Sequence, residues 1–127
     1  MVSSELEENT RKRLALALDL DDLVAATRMG KRLKPWFGVA KVGLELFAAA
    51  GPEAISAFTD MGYEVFLDLK LHDIPTTVRK ASQVIGSLGV SYLTVHTSGG
   101  IEMLSSAVEG LKTGAEAADV QPGKVLG

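Results

Sequence analysis

Short apolar runs alternate along the chain with longer segments of helical spacing. Apolar runs at 13–20 and 37–44 flank a segment with Leu23, Ala26 and Leu33 at helical intervals. Because the runs are nearly continuous in apolar residues, they predict parallel strands covered on both faces. A repeat of about 25 residues predicts βα units and an α/β fold. Further strands are predicted at 63–70, 91–97 and 123–127, and further helices at 51–62, 74–89 and 100–118.

Two α/β architectures fit this order, an open doubly wound sheet and a (β/α)₈ barrel. The first strand is not followed by G-x-G-x-x-G, which weakens the dinucleotide-binding interpretation. Polar residues close the first four strands, and in a barrel these ends converge on the face that carries active sites. Each alone could be a strand end meeting solvent, but together they favour the TIM-barrel family. They are Asp19, Lys41, Asp68 with Lys70, and His96.

The length of 127 residues is about half of a barrel of roughly 250 residues. We therefore predict a single domain, 1–127, that covers about four βα units of a TIM barrel. Residues 1–12 are predicted to be a polar N-terminal segment. Either the chain is a fragment or a second chain completes it, because a half-barrel alone would expose two apolar strand edges.

Composition narrows the classes of function. The net charge of −3 and the lack of a Lys/Arg block argue against nucleic-acid and membrane-surface partners. Without cysteine, disulfides and thiolate metal sites are excluded. The charged stretch at 1–13 does not have the pattern of a secretory signal, and no apolar stretch is long enough to span a bilayer. We expect a soluble cytoplasmic protein.

The stretch VFLDLKLHDIP, residues 65–75, places three charges at the end of a predicted buried strand. Asp68 and Lys70 are two residues apart, so both side chains point to one side of the strand and the intervening leucines to the other. An internal ion pair is the structural alternative to a site, but burying such a pair is often neutral or unfavourable for stability. The pair therefore favours a site at the mouth of the barrel.

Lys41 and Asp73 extend this cluster. Lys41 lies on the neighbouring predicted strand and could reach the same mouth. Asp73 precedes Pro75 and the next helix, where it could instead cap that helix. An alternating Lys–Asp array keeps its members ionised by mutual attraction. It also forms a preorganised environment for a reacting anion.

At this point the sequence resembles a known family. FLDLKLHDIPTTV, residues 66–78, resembles the D-x-K-x-x-D signature of the orotidine 5′-monophosphate decarboxylases, including the following Ile-Pro and Thr-Val. LALDLDD (16–22) and AKVGLELF (40–47) resemble that family's first two strands, and LTVHTSGG (93–100) resembles its fourth. The resemblance covers the chain from about Arg13, in the family's order and spacing. It implies that the chain is the N-terminal half of a TIM barrel, with about the first four βα units.

The resemblance implies a catalytic charge network of Lys41, Asp68, Lys70 and Asp73. Lys70 would deliver a proton to C6 of the pyrimidine, and Asp68 would lie against the substrate carboxylate. Lys41 would hold the array and contact the ribose. The implied reaction converts orotidine 5′-monophosphate to UMP and CO₂ in de novo pyrimidine biosynthesis, without a cofactor.

The resemblance also implies a homodimer with shared active sites. Asp73 would act in the active site of the partner subunit, together with Ile74 and Thr77. Asp19 would contact the ribose or the base, and His96 and Thr97 would line the mouth. The implied substrate-binding residues are thus Asp19, Lys41, Ile74, Thr77, His96 and Thr97.

Two other functions stay open. Magnesium-dependent sugar-phosphate decarboxylases of the same superfamily share D-x-K-x-x-D but have an acidic residue where Lys41 stands. Hard cations need clustered oxygen ligands, and the interleaved lysines disfavour a metal set of Asp19, Asp68, Asp73 and His96, so we predict no metal. The other alternative is a non-catalytic half-barrel that acts as an assembly module.

The phosphate site is expected outside the chain. In the family it is formed by loops after the seventh and eighth strands, whereas Gly127 lies where the fifth strand begins. Because remote phosphate binding contributes to transition-state stabilisation, we expect the 127-residue chain alone to be impaired. Full activity is expected only with a complementary C-terminal half.

Overall fold

The computed structural model describes residues 4–127, in which parallel strands alternate with helices. The strands are hydrogen-bonded in chain order, β1-β2-β3-β4-β5. The chain divides into two compact units, one ending at Phe66 and the other comprising Leu67–Gly127. The elements are α1 (Ser4–Arg11), β1 (Ala15–Ala17), α2 (Leu23–Leu33), β2 (Val39–Gly43), α3 (Leu44–Ala50), α4 (Glu53–Asp60), β3 (Glu64–Leu71), α5 (Pro75–Ser87), β4 (Tyr92–Val95), the 3₁₀ helix η1 (Thr97–Gly99), α6 (Ile101–Ala117) and β5 (Lys124–Leu126).

In the first unit, α3 and α4 pack against β2, and α2 packs against α3 and α4. β1 and β2 are parallel, with Leu16 opposite Ala40. The Asp22 side chain caps α2 by accepting a hydrogen bond from the Val24 amide, 3.0 Å away. A further buried contact joins α2 to the start of β3, since the Tyr63 hydroxyl donates to the Gly30 carbonyl at 2.6 Å. Burial raises the pKa of Tyr63 above its ordinary value of 10.0.

The second unit is built around the contact between α5 and α6. Glycines allow the two helix backbones to approach closely, because a Cβ at Gly110 or Gly114 would overlap the carbonyl oxygen of Arg79 or Gln83. A Cβ at Gly86 would likewise overlap the backbone of α6. β4 and β5 are parallel. The core of this unit is a cluster of Val78, Val95, Met103 and Ala107.

Most predicted elements are confirmed, with boundaries shifted by a few residues. The strand predicted at 123–127 is β5, and Gly89, with φ of +76°, follows the C-terminus of α5. The prediction that both faces of the strands are buried is confirmed for β2. In β1 the middle residue is buried and the two residues beside it are exposed. The prediction of one domain, 1–127, stays a prediction.

Two helices depart from the sequence interpretation. The predicted polar segment 1–12 contains α1, while its first three residues lie outside the described part of the chain. α3 follows β2 directly and had been assigned to no element. Pro52 is the residue immediately before α4. Proline suits the start of a helix, because the amide hydrogens of the first turn have no partner within the helix and proline has none.

Candidate active site

Asp68 and Lys70 form an ion pair at the end of β3. The Lys70 ammonium donates to Asp68 Oδ2 at 2.9 Å. The Asp68 side chain is 12% exposed and that of Lys70 is 54% exposed. The carboxylate is therefore largely removed from water, while the ammonium reaches the surface. The predicted arrangement of these two side chains on one side of the strand is confirmed.

The backbone at Lys70 departs from the regular strand on which that prediction was based. Its φ is +51°, in the left-handed region, and among residues 4–127 the other non-glycine residue with positive φ is Asp119. For a residue with a Cβ, this conformation costs about 1–2 kcal/mol. Such strain persists where the surrounding structure fixes the residue, and it is frequent at functional sites.

Thr94 on β4 contacts both members of the pair and was missed by the sequence interpretation. Its hydroxyl donates to Asp68 Oδ1 at 2.8 Å and accepts from the Lys70 backbone amide at 2.9 Å. The signal was available, because Thr94 is a polar residue in an apolar strand, two residues before His96 and hence on the same side.

Asp73 and Ile74 lead into α5. Asp73 Oδ1 accepts a hydrogen bond from the Ile74 amide at 2.7 Å. Ile74 itself occupies the N-cap position of α5. Asp73 lies one residue before it and is therefore not the N-cap residue, which was the alternative role considered for Asp73 in the sequence. Ile74 is 65% exposed, and Thr77 is exposed on the first turn of the helix.

His96 and Thr97 follow β4. The His96 ring lies 5.2 Å from the ring of His72, measured between centroids. An open depression of about 570 Å³ lies beside these residues. It is lined by His72, Asp73, Ile74, Pro75, Ser98 and Gly99. Two predicted site residues, Asp73 and Ile74, thus share a surface with the residues that follow Thr97. His72 was not among the predicted site residues.

Asp19 and Lys41 lie in the first unit. The Lys41 ammonium is 3.9 Å from Asp19 Oδ1, and their side chains are 27% and 69% exposed. The sequence predicted that both would face the mouth of the barrel, and the structure brings these two together. The assignment of Lys41 to one array with Asp68 stays a prediction.

Residues 4–127 contain no group of three or more His, Asp or Glu side chains arranged to hold a metal ion. No helix among them is both long and apolar enough to cross a bilayer.

Comparison with known proteins assigns the chain to a family. The model of the Orotidine 5′-phosphate decarboxylase / HUMPS family matches residues 12–124. The chain belongs to this family. An orotidine 5′-phosphate decarboxylase of Lactiplantibacillus plantarum is 57% identical over 86 residues, which are 68% of this chain and 36% of that protein. One from Anaeromyxobacter sp. (strain K) is 48% identical over 103 residues, 81% of this chain and 45% of the relative. The family resemblance read from residues 66–78 is confirmed.

A solved structure of this family also has the same fold. The crystal structure of orotidine 5′-phosphate decarboxylase from Lactobacillus acidophilus matches with a TM-score of 0.79 at 39% identity. The match covers 91% of this chain and 51% of that one. The predicted fold class, α/β of the TIM-barrel family, is confirmed. The chain spans about half the length, or less, of these relatives.

Proposed function

We propose that the chain carries the catalytic charge network of an orotidine 5′-monophosphate decarboxylase, a carboxy-lyase that forms UMP and CO₂ in de novo pyrimidine biosynthesis. The observation that carries this proposal is the ion pair of Asp68 and Lys70 within the D-x-K-x-x-D motif. A largely buried carboxylate holds an ammonium whose end remains accessible. Membership of the family supports the same reaction.

Lys70 is proposed to supply the proton. When the bond from C6 to the carboxylate breaks, its electron pair stays on C6 and CO₂ leaves. An ammonium about 4 Å from that charge stabilises it by roughly 4 kcal/mol at an effective dielectric of 20. Transfer of a proton from Nζ to C6 then completes the product. Because Lys70 provides both the charge and the proton, the proposed reaction needs no cofactor.

Asp68 is proposed to aim that ammonium and to lie against the substrate carboxylate. Its Oδ2 atom binds Nζ of Lys70 at 2.9 Å, which fixes the proton donor before substrate arrives. Such preorganised groups need no rearrangement at the moment of reaction. Lys41 is proposed to contact the ribose and to hold the array, and Asp19, its neighbour at 3.9 Å, to contact the ribose or the base.

The remaining site residues are proposed to act at a subunit interface. In a homodimer, Asp73, Ile74 and Thr77 of one subunit would complete the active site of the partner. The 65% exposure of Ile74 supports this role, since a large apolar side chain gains stability when a partner covers it. His96 and Thr97 are proposed to line the mouth of the site. We propose a cytoplasmic enzyme.

The decisive experiment follows the loss of orotidine 5′-monophosphate by its ultraviolet absorbance, with EDTA present throughout. The chain would be assayed alone and with the C-terminal half of a curated relative added. We expect activity on addition of that half and little without it. Lys70→Ala should abolish the activity. Lys112→Ala is the matched control, because Lys112 is an exposed lysine on α6 paired with Glu116, and it should leave the activity unchanged.

Two outcomes would contradict the proposal. Activity that is absent with EDTA and appears only when magnesium replaces EDTA would indicate a metal-dependent decarboxylase of the same family. A well-folded chain that stays inactive with the second half added would indicate an assembly module without catalysis. Strong turnover by the chain alone would overturn the expected need for a C-terminal half.

A further inference from the structure

We propose that Thr94 is a positioning residue that fixes the Lys70 backbone and the Asp68 carboxylate at the same time. The proposal rests on the proposed function for its catalytic consequence, but its structural part stands on geometry alone. The Thr94 side chain connects β4 to both members of the charge pair on β3.

The direction of the hydrogen bonds follows from their chemistry. The Lys70 amide can only donate, so Thr94 Oγ1 is the acceptor of that bond, at 2.9 Å. The hydroxyl proton of Thr94 then points to Asp68 Oδ1, 2.8 Å away, since a carboxylate accepts. Asp68 Oδ2 in turn accepts from the Lys70 ammonium. The three bonds form a closed ring that begins and ends on Lys70.

This ring accounts for the left-handed backbone of Lys70. A residue with a Cβ keeps φ near +51° only where its surroundings over-determine its position. Thr94 holds the Lys70 amide, and Asp68, which Thr94 orients, holds the other end of the same residue. Loss of the Thr94 hydroxyl therefore releases the Lys70 backbone and changes the hydrogen bonding of the carboxylate that aims the ammonium.

Two substitutions at this position isolate the hydroxyl. Thr94→Val keeps the branched shape that suits a strand and removes the hydrogen-bonding group. Thr94→Ser keeps the hydroxyl and removes a methyl group. The matched control is Thr59→Val, because the Thr59 hydroxyl is part-buried but binds only the Ile55 carbonyl of its own helix.

The first measurement is amide hydrogen exchange by NMR in the 127-residue chain, which requires no activity. In the unsubstituted chain, the Lys70 amide should be protected although its side chain is half exposed. Thr94→Val should lower that protection by about tenfold, the value of one hydrogen bond. Thr94→Ser and Thr59→Val should keep it.

An unprotected Lys70 amide in the unsubstituted chain overturns the proposal, even if Thr94→Val fails to fold. Unchanged protection in a folded Thr94→Val chain, or loss in a folded Thr94→Ser chain, overturns it as well.

The second measurement is the decarboxylation assay with the C-terminal half added. Thr94→Val should lower kcat by about tenfold or more with little change in KM, and Thr94→Ser should restore most of it. Equal kcat in Thr94→Val and the unsubstituted chain overturns the catalytic part. If no chain is active, the proposed function fails, whereas the exchange measurement still decides whether Thr94 holds Lys70.

Discussion

The Asp19–Lys41 pair of the first unit and the Asp68–Lys70 pair of the second consist of the same residue types, an aspartate and a lysine. In the first, the charged atoms are 3.9 Å apart and the carboxylate is 69% exposed. In the second, they are 2.9 Å apart and the carboxylate is 12% exposed. The second pair also has Thr94 beside it and a strained lysine backbone. The difference shows that residue types alone do not determine how firmly an Asp–Lys pair is held, because burial and backbone geometry differ between the two pairs.

The largest expected effect is on catalysis. With the C-terminal half present, Lys70→Ala should lower kcat/KM by about 10⁴-fold, the upper range for a lost general acid. Lys41→Ala should cost less, since Lys41 is proposed to position groups and to bind ribose without transferring a proton. Steady-state kinetics of both variants tests this order. An equal or greater loss of kcat/KM in Lys41→Ala would show that the Asp19–Lys41 pair contributes as much to catalysis as the Asp68–Lys70 pair.

The next effect is on stability. Asp68→Ala should lower the free energy of unfolding by about 1–3 kcal/mol, because the Thr94 hydroxyl and the Lys70 ammonium lose their acceptor. Asp19→Ala, in the exposed pair, should change it by at most about 0.5 kcal/mol. Urea denaturation of the two variants measures both values. Similar values would remove the distinction between the pairs.

The glycine and alanine variants of Lys70 and of Lys41 should have opposite orders of stability. Lys70→Gly should be more stable than Lys70→Ala by about 1 kcal/mol, because glycine adopts positive φ without strain. At Lys41, within the regular strand β2, glycine should be less stable than alanine by about 0.5–1 kcal/mol. Urea denaturation of the four variants provides the comparison. The same order at both positions would argue against strain at Lys70.

The last effect concerns a buried ionisable group outside either pair. Tyr63→Phe removes the hydrogen bond to the Gly30 carbonyl and should cost about 0.5–1.5 kcal/mol at neutral pH. Because the folded pKa of Tyr63 lies above 10.0, the unfolded chain loses this proton first as the pH rises. The contribution of Tyr63 to stability is then lost above pH 10. Denaturation at several pH values should show the difference between the two proteins narrowing above pH 10.

Much of the fold could be predicted from sequence because it depends on repeated patterns. Apolar runs and helical spacing located β2, α2 and α6 without reference to distant residues. The missed helix α3 begins at the residue after β2, and with no turn residues between them the boundary carries no local signal. α1 was missed because all of its residues except Leu6 are polar, and none of its residues is buried.

The candidate site was predictable only as far as residue spacing determines it. The two-residue spacing predicted that the Asp68 and Lys70 side chains lie on the same side of the strand, and the structure contains their ion pair. The positive φ of Lys70 could not be foreseen, because lysine rarely adopts it and the cause lies on another strand. Thr94 is 24 residues further along the chain, so its contact depends on the pairing of β3 with β4.

The glycine contacts between α5 and α6 have a consequence for mutational scanning. Where two helix backbones touch, even a methyl group is excluded, so Gly86, Gly110 and Gly114 should tolerate almost no replacement. A scan that selects for growth would rank these three positions beside Lys70, although they take no part in the proposed chemistry. Separating the two kinds of intolerance requires the abundance of each variant as well as its activity, because the glycine variants should disappear from the cell while Lys70 variants accumulate as inactive protein.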